Sequence, residues 1–280
     1  MRTQWVGRSG LLAVLVSAAP NTAAAQVPLA PISTSGRSVT PVFEGWYVNP
    51  DGTYSISFGY FNRNSEEVIE VPVGPDNFME PGEQNQGQPA RFHPRRHWGV
   101  FAVKVPRDFG NKKVTWTVKL RGETFAISGS LSPDWQIDAL EGEAGSDNTP
   151  PVLKFAESGP EGRGPGGVTV GPLKAAVGMP MELTVWATDD GHSAALATGA
   201  TTVGVPVALT WFKHQGPGDV AFAPPVSRLT PTGGKTSVSV KFSRPGDYIL
   251  RVRANDSAVA SAGHAQCCWT NGFVKVTVTQ

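Results

Sequence analysis

The feature that most constrains this chain is a run of apolar side chains at every second position after Thr53. Its apolar members are Tyr54, Ile56, Phe58 and Tyr60, and small residues stand between them. Because successive side chains of an extended strand point to opposite faces, this alternation predicts a strand with one face buried. The turn sequence NPDG at 49–52 precedes it and predicts a hairpin with an earlier strand, since Pro fixes φ and Gly tolerates a positive φ.

The same period of two returns along the whole chain. In the first half it marks Ile69 to Val73, Phe101 to Val105, Val114 to Leu120, and Phe125 with Ile127. In the second half it marks Met181 to Val185, Val207 to Trp211, Val238 to Phe242, Tyr248 to Val252, and Val274 to Val278. No window of about eleven residues has the spacing of an amphipathic helix. Short strands separated by Gly and Pro favour an all-β fold of two tandem β-sandwich domains.

The first 25 residues have the pattern of a secretory signal peptide. Arg2 and Arg8 precede an apolar stretch at 11–19, and the alanines at 23–25 offer a small-residue cleavage site before Gln26. The apolar stretch is far shorter than the roughly 20 residues that cross a bilayer. We therefore expect a secreted protein, periplasmic or extracellular, whose mature chain has no membrane span.

Composition divides the remaining chain into domains. Residues 26–38 are rich in Pro, Ser and Thr without a hydrophobic period, which predicts a flexible leader. A sequence of acidic and small residues that ends in two prolines begins at Glu141, and it predicts a linker over 141–166. The N-terminal sandwich then spans 39–140 and the C-terminal sandwich spans 167–280.

Charge excludes some partner classes. The chain has 24 Lys and Arg against 23 Asp and Glu, for a net charge of +1. A dedicated nucleic-acid binder or a polybasic membrane-surface protein would carry a large basic excess, so we expect no nucleic acid partner. Hydrophobic residues make up 40% of the chain and supply the material for packed cores.

The C-terminal half resembles the polycystic kidney disease (PKD) repeat and its immunoglobulin-like relatives. The segments that carry the resemblance are ATDDG at 187–191, ALTWF at 208–212, PGDYILRVRANDS at 245–257 and FVKVTVT at 273–279. Trp211 and Tyr248 occupy the places of the family's central Trp and of the Tyr in its P-G-x-Y segment. The Gly and Asp that usually follow the aromatic pair are replaced by KHQ at 213–215. The resemblance implies an immunoglobulin-like sandwich that binds or spaces and does not catalyse.

The N-terminal half resembles a recurrent module of bacterial secreted proteins that has no assigned activity. The segments that carry this resemblance are FGYFNRN at 58–64, IEVPVGPDNFMEPG at 69–82, QGQPARFHPRRHWGVFAV at 86–103 and VTWTVKLRGETFAIS at 114–128. It implies a bacterial protein of the envelope or extracellular space.

The densest polar cluster lies in a long loop predicted over 74–97. The candidate ligand-contact residues are His93, Arg95, Arg96, His97 and the adjacent Trp98. A loop of this length is uncommon unless it is functional or disordered. The two histidines could ligate a metal, but no H-E-x-x-H pattern or nearby Cys supports that reading. The alternative is a solvated, partly packed surface loop.

Cys267 and Cys268 are the two cysteines, and they are adjacent. A disulfide between neighbours is strained, because their Cα atoms lie about 3.8 Å apart, below the roughly 4.4 Å minimum of ordinary bridges. Three readings stay open in an oxidising compartment: a vicinal disulfide, two separate thiols, or an intermolecular bridge.

Acidic and amide residues near the predicted domain junction form a candidate calcium site. They are Asp147, Asn148, Asp189, Asp190 and Asp256. Calcium prefers hard oxygen ligands and is common outside cells. The alternative is that these side chains cap backbone amides in turns. No other cofactor is expected.

Catalytic motifs are not found in the sequence. It contains no G-x-S-x-G, no phosphate-binding glycine loop and no Cys beside a His. Trp116 and Trp186 fall inside strand patterns and are predicted to lie in the core. The leading hypothesis is a secreted, non-catalytic binding or spacer protein whose partner is an envelope glycan or protein. The alternatives are a small extracellular hydrolase or metal enzyme with its site at 74–97, and a structural stalk subunit.

Overall fold

A computed structural model describes residues 32–138, 140–142, 147–192, 205–256 and 268–280. The predicted signal peptide and Cys267 lie outside these residues. Among the described residues, no helix is long and apolar enough to cross a membrane. Residues from Ile32 to Gln280 form one compact unit.

The regular structure of the described residues is eighteen strands and one short 3-10 turn, Pro133–Trp135. In the first half the strands are β1 Val39–Val48, β2 Tyr54–Asn62, β3 Ile69–Glu70, β4 Asn77–Glu80, β5 Arg91–Phe92, β6 Arg95–Val105, β7 Val114–Leu120 and β8 Glu123–Gly129. In the second half they are β9 Val152–Lys154, β10 Glu161–Gly162, β11 Val168–Ala176, β12 Met181–Thr188, β13 Ala208–Gln215, β14 Val220–Ala223, β15 Val226–Arg228, β16 Gly233–Phe242, β17 Gly246–Asn255 and β18 Trp269–Thr279. The predicted all-β class is confirmed, and every segment with a two-residue period contains a strand.

The first half folds into small sheets around an aromatic core. One sheet has the order β1-β2-β6, another has β4-β7-β8, and β3 pairs with β5. The predicted hairpin is β1 with β2, in which Trp46 faces Ile56 across the ladder. Trp116 is fully buried, with the Phe101 ring edge-on at 5.1 Å. Phe273, on the last strand of the chain, also packs into this first core.

The second half is a sandwich of two five-stranded sheets. Their orders are β10-β9-β12-β16-β14 and β11-β18-β17-β13-β15. An immunoglobulin-like sandwich places its first, second, fifth and fourth strands in one sheet and its third, sixth and seventh in the other. Here β9-β12-β16-β14 and β13-β17-β18 have these places, and β10, β11 and β15 extend the sheets at their edges. Trp211 is buried on β13, which lies between β17 and β15. The hydroxyl of Tyr248 donates to the Arg244 carbonyl at 2.8 Å, which is the tyrosine corner of such sandwiches.

The prediction of one long loop over 74–97 is wrong. This range contains β4, β5 and the first residues of β6. The strands were missed because they are short and lie between Gly, Pro and Gln, so their alternation is brief. Asn77 and Gln88 are fully buried in this range, and their side chains satisfy backbone carbonyls.

Two further ranges carry more structure than the sequence indicates. The Arg37 amide donates to Asn64 Oδ1 at 2.7 Å, so the chain is held against the first half before β1 begins. In the range assigned to the linker, β9 pairs with β12 and β10 pairs with β9.

The core prediction holds for Trp116 and is wrong for Trp186. On β12, Leu183, Val185 and Ala187 point into the sandwich. Trp186 has the opposite parity, so it faces outward, and the Lys235 ammonium lies 5.0 Å from its ring centroid.

Candidate functional site

The two halves meet along a buried boundary that we call the seam. It consists of the outer face of β13, β17 and β18 and the residues 85–101 that cover it. On β17 the side chains of Leu250, Val252 and Ala254 fill the second core. Ile249, Arg251 and Arg253 therefore point to the outer face, because strand side chains alternate. The consequence is a sheet face that carries positive charge toward the first half.

The KHQ sequence at 213–215 attaches the second half to the first. The β13 ladder has an irregularity between Lys213 and Gln215, which redirects these side chains. The amide of Gln215 donates to the Gln88 carbonyl at 2.6 Å, and His214 Nε2 lies 2.8 Å from the Gly87 carbonyl. The Lys213 ammonium contacts Glu70 at 3.0 Å. Each of the three residues at 213–215 thus contacts the first half at the seam.

Asn271 on β18 is the second attachment of the seam. Its side chain is fully buried, and Nδ2 donates to the carbonyls of Gly99 at 2.7 Å and Pro165 at 2.8 Å. Its Oδ1 accepts from Arg251 Nη1 at 3.2 Å. The Trp269 indole donates to the same Gly99 carbonyl at 3.3 Å. One side chain therefore connects both halves and the segment between them.

Four charged or titratable side chains surround a single ring in the seam. The centroid of Phe212 lies 4.5 Å from the Arg251 guanidinium carbon and 5.9 Å from that of Arg253. The imidazole centroids of His93 and His97 lie 5.3 Å and 6.3 Å from it. We call these five residues the Phe212 cluster. Phe212, Arg251 and Arg253 were missed in the sequence, although the alternation on β17 places both arginines on the outer face.

The cluster is rich in nitrogen atoms that have no partner. Buried nitrogens without a hydrogen bond are Nε of Arg251 and Arg253, Nε2 of His93 and Nδ1 of His97. Among the described residues, neither arginine forms an ion pair with a carboxylate. Glu70, whose charge acts on His93, already pairs with Lys213 and Arg91. In the part of the chain that the structure describes, the two guanidinium groups thus face an aromatic ring and no carboxylate.

Burial controls the protonation of the cluster. It lowers the pKa of His93 to about 4 and that of His97 to about 3, with the arginine charges adding to the effect. It also lowers the pKa of Arg251 to about 9, which leaves the guanidinium charged at neutral pH. At pH 7 the cluster therefore holds two cations and two neutral imidazoles.

The structure divides the five predicted ligand-contact residues. His93 and His97 join the Phe212 cluster, and the His97 ring also stacks on Tyr60 at 4.9 Å. Arg96 instead bonds Glu44 at 2.6 Å, and its guanidinium covers the Trp98 ring at 4.6 Å.

Arg95 is exposed, has a φ of 70° and lies over Phe61. The five residues therefore contact different neighbours and do not form a single site.

The acidic candidates converge only in part. Burial raises the pKa of both Asp189 and Asp256. The charge of Asp189 raises the pKa of Asp256 further, and the charge of Asp190 does the same to Asp189. Asp190 accepts from the amide and hydroxyl of Thr149 at 3.0 Å and 2.7 Å, as a turn residue does. In the described residues, no group of three His, Cys, Asp or Glu side chains is placed to hold a metal ion. Calcium binding at this set stays a prediction.

The remaining candidates of the calcium set lie beside this pair. Asn148 is buried, and its carbonyl lies 3.4 Å from Cys268 Sγ. Asp147 has a φ of 52°, and its carbonyl lies 3.5 Å from His192 Nδ1. Cys268 is disulfide-bonded rather than free. Because Cys267 lies outside the described residues, a bond between the two neighbours stays a prediction.

Two clefts open along the boundary between the halves. One, of about 410 Å³, is lined by Asn85, Phe101, Ile249, Phe273 and Lys275 among others. The other, of about 680 Å³, is lined by charged side chains that include Asp51, Lys104, Glu161 and Arg163.

Comparisons with known proteins give no family. No family model and no curated protein matches the chain. Among solved structures it is similar to the D00-D0 domain of intimin, at 12% identity over 87% of this chain and 100% of that one, with a TM-score of 0.27. It is also similar to a chimeric titin Z1Z2 at 11% identity, over 88% of this chain and 100% of that one, with a TM-score of 0.25. It is similar to the S-layer protein rSbsC at 10% identity, over 86% of this chain and 28% of that one, with a TM-score of 0.25. Scores this low carry no argument, so the fold rests on the sheets described above.

Proposed function

We propose that this chain is a secreted, non-catalytic binding or spacer protein of the envelope or extracellular space. Its two halves would keep a fixed relative orientation rather than move independently about a flexible linker. The observation that carries the proposal is the seam, in which buried side chains bond backbone carbonyls of the other half. Contacts between domains of one chain leave relative motion as the default. The seam differs because its hydrogen bonds are buried and because Phe273 of β18 packs into the first core.

The packing of two histidines supports a binding or spacer role over an enzymatic one. His93 and His97, the side chains on which a site at 74–97 depends, pack against aromatic rings. We further assign the second sandwich to the PKD and immunoglobulin-like group, supported by Trp211 on β13 and by the tyrosine corner. The proposed partners are an envelope glycan or protein.

Rigidity can be tested by small-angle X-ray scattering on the exported chain. We expect one fixed arrangement of the halves to fit the curve, together with a single cooperative unfolding transition. The matched pair of variants is Gln215→Ala, which breaks the seam, and Gln136→Ala, which alters an exposed side chain outside it. A wild-type curve that needs a mixture of orientations would contradict the proposal.

Secretion has a separate test. N-terminal sequencing of the protein from fractionated bacterial cells should give a chain that begins near Gln26, in the periplasm or the medium. Recovery of the uncleaved chain from the cytosol would refute this part of the proposal.

A further inference from the structure

The two arginines of the Phe212 cluster have no carboxylate partner among the described residues. Arg251 is 2% exposed, and its hydrogen-bond partner is the neutral amide oxygen of Asn271. Removing a guanidinium from water without an anion is costly, and buried charges in proteins are generally paired. Arg253 and Arg251 also repel each other, since both lie within about 6 Å of the same ring centroid. The arrangement is therefore suited to an anion, and none of the described residues supplies one.

The geometry around the ring also suits a ligand. Phe212, Arg253, His93 and His97 are half-buried, so the cluster reaches solvent while Arg251 forms its buried base. Guanidinium groups are the preferred partners of planar and tetrahedral oxyanions, because their N–H donors match the spacing of two oxygens. The Phe212 ring offers an apolar surface beside these donors.

We propose that the Phe212 cluster binds an oxyanion, a sulfate or carboxylate group, with Arg251, Arg253 and His93 as its donors. The anion is either a free ion or the acidic group of a sugar. This inference rests on the binding part of the proposed function, and it names the chemistry of the ligand. It gives the seam a second role, because the anion would join side chains from both halves.

The test is calorimetric titration of the exported chain at pH 7 and constant ionic strength, with three probes. Sodium sulfate tests the free ion, trigalacturonate tests an acidic sugar, and maltotriose is the neutral control. We expect saturable binding of sulfate or trigalacturonate and none of maltotriose. Tighter binding of trigalacturonate identifies a glycan as the source, and binding of sulfate alone identifies a free ion.

Two variants assign the binding to the cluster. Arg253→Gln should weaken binding at least about tenfold, since it removes a charged donor. Arg228→Gln is the matched control, because Arg228 is an exposed arginine on β15 of the same sheet, and it should bind as the wild type does. If Arg253→Gln does not fold, Arg253→Lys keeps the charge without the paired donors, and it should also bind more weakly.

Two results would overturn the inference. One is the absence of saturable binding to both anions in the wild type, and the other is equal binding by the Arg253 and Arg228 variants. The proposed function fails on a different measurement, because the rigidity of the two halves is read from scattering and unfolding.

Discussion

Replacing Asn271 by Ala should remove the strongest single attachment of the seam. The wild-type side chain makes two short bonds to carbonyls and one to Arg251, all of them buried. A buried partner left unsatisfied costs about 1–3 kcal/mol, and some of these groups will regain water. We therefore expect a loss of about 3–5 kcal/mol in the free energy of unfolding. At about 2–4 °C per kcal/mol for a chain of this size, the Tm should fall by roughly 6–20 °C.

Urea denaturation and calorimetry of the exported chain measure this loss. The matched control is Asn49→Ala, whose side chain makes two bonds in a half-exposed turn, to Thr53 at 2.9 Å and Ser55 at 3.0 Å. The control should cost about 1 kcal/mol or less, because water replaces the lost partner. Equal destabilisation by the two variants would refute the reasoning, because burial at the seam would then add nothing.

Three further predictions concern stability. Tyr248→Phe removes the bond to the Arg244 carbonyl and should cost about 1 kcal/mol in urea denaturation; an unchanged midpoint would contradict the role of the tyrosine corner. Gly167→Ala places a Cβ 1.6 Å from a backbone oxygen of β18 and should destabilise by more than about 3 kcal/mol. Gly122→Ala, which also has a positive φ but meets no atom within 4 Å, is its control and should cost only about 1–2 kcal/mol. Asp256 has a raised pKa in the folded state, so folding binds an extra proton and stability should fall as the pH rises above about 4. Asp256→Asn should reduce this slope, which is at most about 1.4 kcal/mol per pH unit, most clearly between about pH 6 and 8, because Asp189, whose pKa is raised to about 6, contributes only below that range. Parallel wild-type and variant profiles from about pH 6 to 8 would count against it.

The sequence predicts the strands well because each core strand carries its own pattern. The alternation at Tyr54 to Tyr60 is visible without any partner, and so is the one on β17. It fails for β4 and β5, since strands of four and two residues contain too few positions to display a period. Trp186 does lie within a strand, as its pattern predicts, but its parity relative to Leu183 places it on the outer face.

The site could be predicted only in part for a different reason. His93 and His97 stand out in the sequence by their density of charge. Arg251 and Phe212 face one another across the β13–β17 ladder, and this pairing is a matter of register that no local pattern contains. The sequence KHQ at 213–215 differs from the pattern that the second half resembles. Its role in the seam depends on Glu70, Gly87 and Gln88 of the first half, so the sequence alone does not predict it.

Phe273 has a consequence for the order in which the chain can fold. It fills part of the first core, yet it lies on β18, far along the chain from the strands of the first half. Because synthesis runs from the N-terminus, the early strands are made before this piece of their interior. Native packing of the first half is therefore completed only after β18 has been made, so the N-terminal half does not depend on its own residues alone for its core.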